Sequence, residues 1–188
     1  MRLESVVLKS QSTEYDDLQE LYEHNKRVSL YAYRLASLIL TDEELIEKVR
    51  KAAAFHDIGK LYVDRTILNK PSKLTEKEAT IVRKHPEYGY DTLVSIGEDK
   101  EIAQMVKEHH ENFDGTGYPD GLAKYDICIG ARIIKICDVF DALTVNRVYR
   151  NKLTNEQAFR AMEKEKSTFD RRLYKVFKDN VEIITKTP

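Results

Sequence analysis

All five histidines of this 188-residue chain stand where a metal ion could use them. They are His24, His56, His85 and the adjacent pair His109 and His110, and carboxylates accompany them. Glu20 precedes His24 by four residues, Asp57 follows His56 directly, and Asp138 sits in a mostly apolar run from Ala131 to Phe140. Imidazole is the commonest side-chain metal ligand, and a buried carboxylate calls for a cation to offset it. Taken singly, each residue has a commoner fate as a cap, a hydrogen-bonded core histidine or a solvated helix carboxylate. Together, five imidazoles and three carboxylates exceed the four ligands of one structural zinc. They suit two or three first-row divalent ions bridged by a shared carboxylate.

Helices would have to bring these residues together. Glu20 and His24 share one face of a helix whose apolar positions (Leu18, Leu21, Val28, Tyr31, Leu35, Leu38) recur at three- and four-residue steps from Asp16 on. Residues 1–14, polar and aperiodic around Lys9–Thr13, are expected to be a short extension, with one domain from 15 to 188. Thr41-Asp42-Glu43-Glu44 reads as the start of a helix running to about His56 and broken at Ile58-Gly59-Lys60. Residues 61–74 read as a connection. Thr75 and Glu78 form a capping box for a helix towards His85, Pro86 can occupy the first turn of the next, and Asp99 to about His110 is another. Neighbours on a helix point about 100° apart, so His109 and His110 can face one site only near a helix end or at a ridge. Asn112–Gly121 is a turn-rich surface loop. Helices follow over Ile127–Leu143, from Thr154 through Met162, and over roughly 170–184. With no alternating strand pattern, the expected fold is all-α: a compact multi-helix bundle with one metal centre in a core cleft.

A formal net charge of −1 argues against a partner that is a nucleic-acid polymer. It leaves room for a small phosphorylated ligand, because local cations and bound metals can make a positive pocket in a neutral protein. No apolar run approaches the roughly 20 residues of a membrane span, and Met1–Gln11 lacks a signal-peptide core. Cys128 and Cys137 are far from any CxxC spacing and read as buried, reduced thiols, so a cytoplasmic location is expected.

Five strings then resemble, in order and spacing, the HD-GYP family, a branch of the HD-domain metal-dependent phosphohydrolases. They are His56-Asp57-Ile58-Gly59-Lys60, His85-Pro86-Glu87-Tyr88-Gly89, His109-His110-Glu111, Asp114-Gly115-Thr116-Gly117-Tyr118-Pro119-Asp120-Gly121-Leu122 and Asp138-Val139-Phe140-Asp141-Ala142-Leu143-Thr144. The resemblance spans roughly residues 15–180. It implies an HD-domain-like bundle, a bi- or trinuclear centre of divalent ions (iron or manganese first, nickel or zinc also compatible), and phosphodiesterase activity on cyclic di-GMP, with pGpG, or GMP after a further cleavage, as the product. It carries His24, His56, Asp57 and Asp138 over as ligands of one metal. His85, His109 and His110 become the set for a second, with Asp57 as the bridge. Glu20 matches a position that supports a third metal in some members. Lys60 matches the catalytic-site lysine, and Arg147 and Arg150 match positions that hold nucleotide phosphates. The Gly117-Tyr118-Pro119 loop matches a surface that shapes the substrate pocket or contacts partners such as diguanylate cyclase domains.

The chemistry agrees with those roles. Two metals about 4 Å apart that share a water lower its pKa and aim it at phosphorus. Lys60 could stabilise charge that grows on the non-bridging oxygens, and arginine forks suit phosphate. Other readings stay open: a salt bridge from Arg147 or Arg150 to Asp141, a rigid turn at Gly117–Pro119, and either site support or plain helix electrostatics for Asp141. The chain also departs from the family. Gly121-Leu122 is followed by Ala123-Lys124 where Lys-Gly is common, the usual proline before the long apolar helix is missing, and Arg147-Val148-Tyr149-Arg150 replaces Arg-Pro-Tyr-Arg. These changes spare the metal ligands and bear on substrate choice. The competing readings are a phosphohydrolase for another cyclic dinucleotide, such as cyclic GMP-AMP, and a weakly active module that binds nucleotide or a cyclase.

Overall fold

Burial of one apolar stripe per helix builds the core. The computed structural model describes residues 2–145 and 152–186, with side chains from Gln19 onward. The helices are α1 (Arg2–Ser37), α2 (Glu43–Phe55), α3 (Arg65–Leu68), α4 (Glu76–Val82), α5 (His85–Ser95), α6 (Lys100–Glu108), α7 (Ile129–Thr144), α8 (Asn155–Lys164), α9 (Arg171–Asp179) and α10 (Val181–Ile184). A 3₁₀ turn covers Ile58–Tyr62. No strand occurs among the described residues, so the all-α expectation holds. None of the described helices is long and apolar enough to cross a membrane.

Among the described side chains of α1 the buried apolar residues are Val28, Tyr31, Ala32, Leu35 and Ala36, which form one helical stripe. That stripe packs against α2 and α7. The apolar helix α7 is central, with Ile133, Ile134, Ile136, Cys137 and Phe140 all buried. Gly130 lets it approach α6, since a Cβ there would fall 2.4 Å from the Met105 sulfur. At its other end, Phe140 meets Phe159 of α8 and Phe177 of α9, with ring centroids 5.3 and 5.0 Å apart. Five of these helices, α1, α2, α5, α6 and α7, carry the histidines and their carboxylates.

Helix starts follow local chemistry. Asp42 accepts from the Glu44 and Leu45 amides, and both Thr75–Glu78 and Thr154–Gln157 complete capping boxes. Three boundaries differ from expectation. Helix α1 begins at Arg2 rather than near Asp16, because residues 2–15 contain neither Gly nor Pro and helical hydrogen bonds propagate back through them. The connection after the 3₁₀ turn includes α3, started by Asp64, whose carboxylate accepts from the Thr66 amide. The last helix is split at Asn180, whose backbone leaves the α region (φ −119°, ψ 17°) while its side chain donates to the Val176 carbonyl at 2.9 Å.

Candidate metal centre

Helix carboxyl ends deliver three of the five histidines. The last turn of a helix leaves carbonyls without intrahelical partners, and here imidazoles take them. His56 caps α2 and its Nδ1 lies 2.8 Å from Ala53 O; His109 caps α6 with Nδ1 2.6 Å from Val106 O. His85 follows α4 closely enough for its Nδ1 to lie 2.8 Å from Val82 O. A carbonyl can only accept, so each Nδ1 carries the proton and each Nε2 is left with a lone pair. The negative ends of the helix dipoles also favour a cation beyond them. Because α6 stops at Glu108, His109 and His110 fall in the following turn and both face the same site.

Around Asp57 the donors form two sets. Its Oδ2 lies 3.4 Å from His56 Nε2 and 3.9 Å from His24 Nε2, and Asp138 Oδ1 is 3.1 Å from His24 Nε2 and 3.9 Å from His56 Nε2. Its Oδ1 faces the other way, 3.3 Å from His85 Nε2. His85 Nε2 in turn is 3.3 Å from His109 Nε2. The ligand atoms of His24, His56 and Asp57 lie within 4.8 Å of one another, as do those of Asp57, His85, His109 and His110. His56 Nε2 and Asp57 Oδ1 are buried without a hydrogen-bond partner. Two lone pairs facing each other at His85 and His109, and two orphaned buried atoms, are unfavourable unless a cation lies between them. The donor set therefore fits divalent metal ions.

Charge follows the same logic. Burial would raise Asp57 and Asp138, but the Lys60 ammonium holds the first well below the usual carboxylate range, and the hydrogen bond with His24 holds the second low. Burial keeps His56, His109 and His110 neutral, with the pKa of His110 at about 3. Burial opposes a charge on His24 too, yet hydrogen bonds to Asp138 and Asp141 and the charge of Asp57 raise it to about 9. Its proton does a cation's work among the carboxylates, and a ligated metal would displace it.

A second layer fixes these groups. Asp141 Oδ2 accepts from His24 Nδ1 at 2.7 Å, and Arg27 grips the same carboxylate through Nε (2.7 Å) and Nη2 (3.0 Å). Asp141 thus supports His24, and among the described residues Arg27 is the arginine that holds it. Arg27 lies one turn after His24, but its partner is 114 positions away, so the pairing leaves no local signal in the sequence. Arg27→Ala frees Asp141 to rotate. Metal affinity at the His24 set is expected to fall by about 10–100-fold, with Arg27→Lys in between, as read by titration against a fluorescent chelator. Unchanged affinity would remove Arg27 from the site.

The loop after α6 is braced on the centre. Tyr118 stacks on His110, with ring centroids 4.9 Å apart and planes at 25°. A Cβ on Gly117 would fall 2.2 Å from the Asn112 amide nitrogen, so only glycine fits there. Glu111 Oε1 accepts from the Asp120 and Gly121 amides at 2.7 and 3.0 Å. Lys60 reaches the centre, its Nζ 2.6 Å from Asp57 Oδ2. Glu20 is exposed and belongs to neither ligand set. Arg147 and Arg150 lie outside the described residues.

A family model described as "HD domain" matches residues 15–173. The cyclic di-GMP phosphodiesterase PA4108 of Pseudomonas aeruginosa is 36% identical over 160 residues, which cover 83% of this chain and 38% of that protein. The 3′3′-cGAMP-specific phosphodiesterase 2 of Vibrio cholerae is 42% identical over 138 residues, covering 71% and 26%. The chain therefore spans well under half the length of these curated relatives. Among solved structures, Bd1817, an HDG"Y"P protein from Bdellovibrio bacteriovorus, superposes with a TM-score of 0.71 at 20% identity, over 86% of this chain and 52% of that one.

Proposed function

The chain belongs to the HD domain family, in its HD-GYP branch, and from that premise we propose that it is a metal-dependent phosphodiesterase that opens cyclic di-GMP to pGpG. The observation that carries this reading is the division of Asp57, one oxygen turned to each of two imidazole sets whose free nitrogens converge. Two divalent ions, iron or manganese, would be held there, by His24, His56, Asp57 and Asp138 on one side and by Asp57, His85, His109 and His110 on the other. When bound, such ions supply Lewis acidity and an activated water for in-line attack on phosphorus.

The chain's own residues orient and balance charge. Asp57 sets the spacing of the two ligand sets. Lys60 sits against Asp57 where a non-bridging phosphate oxygen can take its proton-rich side chain as a partner, strengthening that bond as charge grows on phosphate. Arg147 and Arg150 are assigned to the substrate phosphates by sequence position. We ascribe to Gly117, Tyr118 and Pro119 the support of His110, since the described contacts of Gly117 and Tyr118 turn inward, rather than a cyclase-docking role. Glu20 stands outside a two-metal centre.

The altered residues 123–126 and the 42%-identical relative named for cyclic GMP-AMP give the second reading, a preference for that mixed dinucleotide. The test is turnover of a panel of cyclic dinucleotides by the metal-loaded protein. Cyclic di-GMP is expected to be the best substrate; preference for cyclic GMP-AMP moves the second reading to first. Absence of turnover with two ions bound would leave a nucleotide-binding signalling module.

A further inference from the structure

Helix α5 carries a second group of functional side chains on the stripe that begins with His85. His85, Tyr88, Thr92 and Ser95 follow at steps of three and four residues and so share one face. His85 enters the metal centre. Tyr88, Thr92 and Ser95, together with Asp91 and with Tyr62 of the 3₁₀ turn, line an open groove of about 250 Å³. The turn runs the same way: Lys60 bonds Asp57, and two residues later Tyr62 meets Tyr88, with ring centroids 5.8 Å apart and its hydroxyl 3.2 Å from Thr92 Oγ1. At about 1.5 Å of rise per residue, Tyr88 stands roughly 5 Å along the helix from His85 and Ser95 roughly 15 Å. That is the reach of a nucleotide whose phosphate lies at the metal centre.

The groove has the chemistry of a base site. Tyr62 is 62% exposed and offers an aromatic face, on which bases stack. Asp91 is an exposed carboxylate with no hydrogen-bond or ion-pair partner among the described residues. The volume falls below the roughly 300–1,000 Å³ of sites that enclose a drug-sized ligand, so one base fits and a whole dinucleotide does not. A carboxylate only accepts. Guanine shows it two adjacent donors, N1–H and the N2 amine, whereas adenine places an acceptor, N1, beside its amine.

We propose that this groove is a guanine subsite, in which one base of the substrate stacks on Tyr62 and pairs through N1–H and N2–H with Asp91. The proposal rests on the phosphodiesterase reading for the place of the phosphate. Calorimetric titration of the metal-loaded protein with GMP and with AMP tests it. GMP is expected to bind more tightly, and Asp91→Asn to shrink the AMP-to-GMP ratio of Kd values by on the order of tenfold. Tyr62→Ala should weaken both nucleotides by on the order of tenfold, with Tyr62→Phe restoring them. A wild-type ratio near one, or a ratio unmoved by Asp91→Asn, overturns the subsite; a merely structural role for Asp91 would weaken both nucleotides alike. Guanine discrimination that depends on Asp91, in a protein that turns over no cyclic dinucleotide, supports the subsite and overturns the phosphodiesterase reading instead.

Discussion

Asp57→Asn is expected to lower cyclic dinucleotide turnover by on the order of a thousandfold or more and to remove metal from both ligand sets at once. Asparagine has nearly the shape of aspartate, so the packing after α2 survives and circular dichroism should match wild type. The chemistry does not survive. The amide carries no charge, and its nitrogen turns a donor towards a place where His56, His85 and His109 already require a cation. Asp138→Asn makes the contrast, because the shortest histidine contacts of Asp138 among the described residues are to His24 Nε2 (3.1 Å) and His56 Nε2 (3.9 Å); it should loosen the ion on that side far more than the other. Elemental analysis beside turnover separates the two variants. An Asp57→Asn protein that retains two ions and turns over within tenfold of wild type would rule out a shared carboxylate.

Gly59→Ala strikes the second ligand set through the fold. A Cβ there would lie 1.9 Å from the His85 carbonyl oxygen and 2.7 Å from the Gly89 nitrogen. Both are backbone atoms, so no rotamer change relieves the contact and the 3₁₀ turn must separate from α5. We expect a loss of about 3 kcal/mol, which for a chain of this size lowers Tm by about 6–12 °C. His85 begins α5, so the same displacement draws its Nε2 away from Asp57 Oδ1. The ion on the His85 side should weaken while the one on the His24 side is retained. A thermal melt and metal counting check both halves. A melt within 2 °C of wild type would mean that the turn and helix are not held at that distance.

The sequence made the centre legible because its ligands sit in short strings of unusual type, and because capping chemistry at Asp42, Thr75 and Thr154 marks where helices begin. Helical geometry alone allows His109 and His110 to share a site only near a helix end or at a ridge, and the structure takes the first course, with α6 stopping at Glu108. Other parts depend on residues far apart in the chain. The grip of Arg27 on Asp141 joins α1 to α7, and no local pattern distinguishes it from a surface arginine or from a pairing of Asp141 with Arg147 or Arg150. The stacking of Tyr118 on His110 needs the loop to fold back on the turn that precedes it. At the start of α1, the lack of apolar periodicity marks no helix before Asp16, yet periodicity reports which face a helix buries and not whether the backbone is helical.

The clipping of His56, His85 and His109 to carbonyls three residues before them has a thermodynamic consequence. A histidine free to rotate would surrender its rotamers when it ligates an ion, and that loss would weaken binding. These three have surrendered them already, to acceptors that the helix ends leave spare, and His24 has done so to Asp141. His110 makes no side-chain hydrogen bond among the described residues and is held by the stack on Tyr118. Of the five imidazoles, it alone among the described residues is set for coordination by ring packing and not by a hydrogen bond.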